Sequence, residues 1–238
     1  MRLLCAKFCE IANEFGSELF GFSLEFLSAM WHTKHMTQQT KDKIKVIICA
    51  TAVIASIALS VVMVNRSYDP RRQPFTGIGL RHPELFIIWG VATALAIFLN
   101  MRLLAKRLHV RNKAFDMTLA LGCAMLIVTS CIVGPAPIWE WRRITHMVSA
   151  VIFGLTCVTL IVVLMVVKLR RKGKKSSVTY LTAILLTLMF FVIATINVGQ
   201  FPAYAQTMLI NVCLVAVFCS NYIERWSTTF TTSRPLKE

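Results

Sequence analysis

The chain has 238 residues, of which 56% are hydrophobic and 16% charged, with 26 Lys and Arg against 11 Asp and Glu and a formal net charge of +15. A soluble domain carries about 25% charged residues, so this balance excludes an ordinary soluble fold and indicates an integral membrane protein. The positive charge punctuates hydrophobic runs instead of gathering on one soluble face, which argues against nucleic acid as a partner.

The first 43 residues form a distinct segment. In "FCEIANEFGSELFGFSLEFLSAMW", Phe8, Ile11, Phe15, Leu19, Phe22 and Phe26 recur at helical spacing, while Glu10, Glu14, Glu18 and Glu25 gather on another face. The pattern predicts a cytoplasmic amphipathic helix lying in the membrane interface. Its early Glu residues and missing cleavage pattern argue against a secretory signal. Helices that bind anionic lipid carry Lys and Arg on their polar face. Two roles therefore stand side by side for the four glutamates: docking to a basic partner surface or to this chain's own basic loops, and a simple interfacial anchor. The stretch "HTKHMTQQTKDK" then reads as a polar linker.

Six apolar windows follow, at 44–64, 84–104, 115–134, 145–167, 178–198 and 203–223, each close to the ~20 residues a helix needs to cross ~30 Å of hydrocarbon. Unbroken runs such as Val46–Val64 lack the alternation of a membrane β-barrel. The predicted fold is an all-α, six-helix transmembrane bundle over 44–223 with a short cytoplasmic tail, 224–238. With the N-terminus inside, twenty Lys and Arg fall on the cytoplasmic side and six outside, so both termini are expected in the cytoplasm. The plasma membrane and the endomembranes (endoplasmic reticulum, Golgi, lysosome) both fit.

Between the first two windows, Pro70, Pro74, Gly77, Gly79 and Pro83 predict a loop that turns repeatedly and forms no helix. Pro83 suits the first turn of span two, and Glu84 beside it suits the positive end of the helix dipole. The second external loop, "GPAPIWEWRRITH", places Trp139 and Trp141 at interface depth, and His146 opens span four on the same side as Glu84. Arg81, Glu84, Arg142, Arg143 and His146 are thus candidates for an external polar cluster that fixes the bundle or holds a lipid headgroup, since Arg pairs well with phosphate. On the cytoplasmic side, Lys168, Arg170, Arg171, Lys172, Lys174 and Lys175 are candidates for contact with anionic lipid, beside their topogenic role.

No acidic or basic residue stands in the middle of a window, which disfavours proton or sodium coupling. Asn211, Gln206, Thr182, Thr187 and Thr195 are expected to bond helix to helix; a continuous polar cavity near Asn211 and Gln206 would instead mark a transporter. The eight cysteines outline no disulfide framework and no metal spacing, and neither a Gly-x-Ser-x-Gly elbow nor a His-Glu-x-x-His motif is present. No catalytic residue, metal or cofactor is expected.

The order "PFTGIGLRHPELF" into span two, "LALGCAMLIVTSCIVG" as span three and "ITHMVSAVIFG" opening span four resembles the Frag1/DRAM/Sfk1 family of six-span membrane proteins. In that family a Pro-Glu opens the second span, and a His followed four residues later by a small residue opens the fourth. The matching positions are Pro83 and Glu84, and His146 with Ala150. The likeness covers spans one to four. Gly79-Leu80 stands where the family commonly has Ser-Asp, and the N-terminal extension departs from its pattern. The resemblance implies a role in lipid organisation, autophagy-related membranes or assembly of lipid-handling complexes, without a shared catalytic chemistry. The expectation is a non-enzymatic subunit or organiser in lipid handling or trafficking, with membrane lipids and other membrane or membrane-associated proteins as partners. A lipid or small-molecule transporter and a lipid-remodelling enzyme are the alternatives.

Overall fold

A computed structural model of the protein describes residues 38–66, 74–132, 141–172, 175–198 and 202–232. The chain divides into two compact units, residues 1–45 and 46–238. The expected amphipathic helix with Glu10, Glu14, Glu18 and Glu25 lies outside the described residues.

Among the described residues there are seven helices and no strand: α1 (Gln38–Asn65), α2 (Phe75–Arg81), α3 (Pro83–Arg107), α4 (Lys113–Cys131), α5 (Trp141–Lys172), α6 (Lys175–Val198) and α7 (Ala203–Thr232). All except α2 contain a stretch long and apolar enough to cross a membrane. The fourth such stretch, Trp141–Arg171, outruns its sequence window at both ends. Arg142, Arg143 and the start of the basic run are therefore helical instead of lying in loops. Large apolar side chains such as Ile54, Leu155, Leu186 and Ile196 stand exposed on the outer faces of these helices.

The order of packing follows chain order. α3 lies on α4, α4 on α5, α5 on α6, α6 on α7, and α7 returns to α3, closing a circuit. Small residues let the backbones approach: a Cβ on Gly90 of α3 would stand 2.1 Å from Ser130 Oγ of α4, and one on Gly122 of α4 would meet Thr156 and Cys157 of α5 at 3.0 and 3.2 Å. α1 joins differently, through hydroxyls. Ser56 Oγ and Thr93 Oγ1 lie 2.7 Å apart, and the indole N–H of Trp89 donates to Ser60 Oγ at 2.8 Å.

The segment before α3 differs from the expected loop, because Phe75–Arg81 forms a helix. The prolines bracket it instead of interrupting it, with Pro74 at the N-cap position and Pro83 opening α3. Tertiary packing outweighs the two glycines' weak helix propensity. Phe75 meets the rings of Trp89 and Phe86 at 4.7 and 5.5 Å, and Phe86 stacks on Trp89 at 5.6 Å. Gly79 is needed for the fit, since a Cβ there would lie 2.7 Å from the Phe86 ring.

The α3–α4 turn has caps on both sides. His109 adopts a left-handed φ of 51°, and Val110 N–H reaches back to the Ala105 carbonyl at 3.1 Å, the bond of a Schellman turn. Asn112 then caps α4 by accepting from Phe115 N–H at 2.7 Å, and Asp116 in the first turn of α4 accepts from Arg111.

Candidate functional site

The residues expected to gather at the Pro83 end lie as follows. Arg81 ends α2 and Glu84 opens α3, both exposed. Arg142 is half-buried with its guanidinium 5.7 Å from the Trp141 ring centre, and Arg143 is exposed. Among the described residues no hydrogen bond or ion pair links any of these four to another or to His146; Asp116 pairs with Arg102 and Arg111 at the opposite end of α3 and α4. His146 has a different set of partners. Its Nδ1 lies 3.0 Å from the Thr129 carbonyl and 3.1 Å from the Ile132 carbonyl. Carbonyls only accept, so Nδ1 carries the hydrogen and the ring caps the end of α4. One turn further, Ser149 Oγ meets Thr129 Oγ1 at 2.7 Å, extending the α4–α5 seam.

At the opposite end, the basic run divides. Lys168 is only 2% exposed; its ammonium donates to the Ser220 carbonyl at 3.3 Å and lies 5.6 Å from the Tyr180 ring centre. Arg171 donates to the Leu108 carbonyl, and Arg107, from α3, donates to the Asn221 carbonyl and lies over the Tyr222 ring. Three cations thus tie α3, α5, α6 and α7 together through carbonyls and aromatic faces. Arg170 is exposed. Lys172 and Lys175 are helical in backbone, and Lys174 lies outside the described residues. Beside this knot, Asn221 Nδ2 donates to the Asn100 carbonyl at 2.8 Å, and Asn100 Nδ2 to the Ala96 carbonyl at 2.9 Å.

An open concavity lies between α1, α6 and α7, with a volume of about 640 Å³. α7 is its floor, through Tyr204, Thr207, Met208, Asn211, Val212 and Val215. α1 forms one wall from Ile57 to Asn65, and Tyr180 and Ala183 of α6 form the other. The gutter exists because α6 packs against α5 and α7 while α1 is held toward α3 by its serines. Its lining is apolar except for a few groups. Thr207 satisfies its own hydroxyl on the Ala203 and Tyr204 carbonyls. Ser60 accepts from Trp89 and shares its hydrogen between the Ser56 carbonyl at 2.9 Å and Asn211 Oδ1 at 3.4 Å. The Asn211 amide nitrogen has no hydrogen-bond partner among the described residues. Gln206 is half-buried and does not line the gutter.

No family model, curated protein or solved structure matches this chain.

Sequence reasoning singled out Asn211 but missed Ser60, Trp89 and the cation knot. Trp89 is a polar-tipped aromatic inside an apolar window, and such a group needs a buried partner. That was a usable signal. Lys168 carried none, since its direction depends on where α7 lies.

Proposed function

We propose that the chain is a non-enzymatic six-span membrane protein with both termini in the cytoplasm, acting as a subunit or organiser in lipid handling or membrane trafficking. The outer faces support insertion: exposed Ile54, Leu155, Leu186 and Ile196 would be costly in water and are at home in hydrocarbon. The excess of Lys and Arg at the Arg107 and Lys172 ends supports the orientation. The Pro83-Glu84 and His146-Ala150 matches support kinship with the Frag1/DRAM/Sfk1 family.

The observation that carries the lipid-handling reading is the gutter between α1, α6 and α7, an apolar concavity of about 640 Å³, within the ~300–1,000 Å³ of small-ligand sites. Purification of the endogenous protein in mild detergent, with quantitative mass spectrometry of retained proteins and lipids, tests it. A stoichiometric protein partner together with an enriched lipid class supports a subunit in lipid handling. Retention of neither overturns the reading. Asn211 in the gutter favours a second reading, a lipid or small-molecule transporter. Purified protein that moves labelled lipid or solute across vesicle membranes would establish that activity.

A further inference from the structure

The seam between α3 and α7 contains two buried asparagines, Asn100 and Asn221, which are 0% and 2% exposed. Asn221 Nδ2 donates to the Asn100 carbonyl at 2.8 Å, and Asn100 Nδ2 donates to the Ala96 carbonyl at 2.9 Å. Carbonyls only accept, so each amide is held with its nitrogen toward them and cannot be turned over. Each Oδ1 therefore faces the other way, and among the described residues neither has a hydrogen-bond partner. The nearby cations do not reach them: Lys168 donates to the Ser220 carbonyl and Arg107 to the Asn221 carbonyl. A buried acceptor that receives no hydrogen carries the full cost of its lost hydration. Two such oxygens in one seam call for a donor.

A cavity of about 10 Å³ lies in the same seam, with Asn100 in its wall beside Ile97 and Met101 of α3, Ile161 of α5 and Val217 of α7. That volume is at the lower edge of the ~10–15 Å³ that one water molecule needs. Side chains on a helix lean toward its N-terminus. Asn100 follows Ile97 by three residues and Asn221 follows Val217 by four, so both amides lean back toward the level of the cavity. A cation would also suit two amide oxygens, but Arg107 and Lys168 are bonded to the carbonyls of Asn221 and its neighbour Ser220, and their charges oppose one there. Water is neutral and has two hydrogens for two oxygens. We propose that one water molecule occupies this cavity as a fixed part of the α3–α7 seam, donating one hydrogen to Asn100 Oδ1 and the other to Asn221 Oδ1.

The test uses the full chain in detergent and a brief X-ray pulse, which makes hydroxyl radicals from water wherever it stands, including water held inside the protein. Oxidation of methionine to its sulfoxide is then read by mass spectrometry. Met101 lines the cavity at 1% exposure, whereas Met63 and Met165 are 0% exposed and do not line it. Met101 should oxidise several-fold faster than both, and Asn100→Leu, which removes one of the two oxygens, should abolish that excess. Equal rates at the three methionines overturn the water. An excess that survives in both Asn100→Leu and Asn221→Leu overturns its assignment to these amides. A second measurement leaves both asparagines in place: Val217→Ile pushes a methyl group into the cavity. If water is displaced, both oxygens are stranded and the unfolding temperature falls, by less in the Asn100→Leu background where only Asn221 remains to be stranded. A rise in unfolding temperature, as for the filling of an empty cavity, overturns the proposal. So does an equal fall in both backgrounds, which is overpacking alone.

Discussion

His146 shows how one side chain can separate a structural role from a recognition role. Its Nδ1–H serves two carbonyls at the end of α4. His146→Ala leaves both without that donor and should cost about 1–2 kcal/mol, read as a lower unfolding temperature in detergent. His146→Asn, whose amide nitrogen stands near the position of Nδ1, should recover part of the loss. Recovery of stability by Asn with unchanged lipid retention identifies a cap; lost lipid retention in both variants would instead identify a headgroup contact. The sequence marked His146 as notable but not its partners, because the carbonyls of Thr129 and Ile132 are backbone groups that any residue would supply. Lys168 was legible as a charge but not as a buried one, since its partners on α6 and α7 come from other parts of the chain.

At the scale of elements, the α3–α4 seam is set by contact between a glycine and a serine. Gly90→Ala places a methyl 2.1 Å from Ser130 Oγ and 2.6 Å from its Cβ. The helices must move apart, at a cost of about 1–3 kcal/mol. Ser130→Ala should not rescue the variant, because the offending Cβ remains. Ser130→Gly should rescue it in part, offset by about 1 kcal/mol of helix propensity. Thermal unfolding of the two double variants checks this order. The long helices were legible because length and apolarity are local properties. α2 was not, because its stability depends on the contacts of Phe75 with Trp89 and Phe86, and in isolation two glycines between prolines read as turns. The end of α3 was obscured in another way: His109 occupies the left-handed position where a glycine would have announced the cap.

For the whole molecule, the orientation makes a prediction about sidedness. With the native cysteines replaced, a single cysteine at Lys113 should react with a membrane-impermeant maleimide once the plasma membrane alone is permeabilised. One at Arg81 should react in intact cells if the protein is at the cell surface, and only after all membranes are permeabilised if it is in an endomembrane. The reverse pattern would invert the bundle and move the mouth of the gutter to the cytoplasmic leaflet. The six long apolar helices among the described residues could be read from the chain, and so could the charge asymmetry behind this orientation. The gutter could not, because it is a gap left by three helices whose spacing depends on Ser56, Ser60 and the α6–α7 contact.

That gap also has a history within each molecule. One wall belongs to α1, the first of the six long helices among the described residues to leave the ribosome, while the other wall and the floor belong to α6 and α7, the last two. The seam from α3 through α4 to α5 joins neighbours in order of synthesis, so a nascent chain possesses its components as it lengthens. The gutter is complete only when the final helix arrives, and a chain terminated before Ala203 retains α1 and its serines but has lost the floor between the walls.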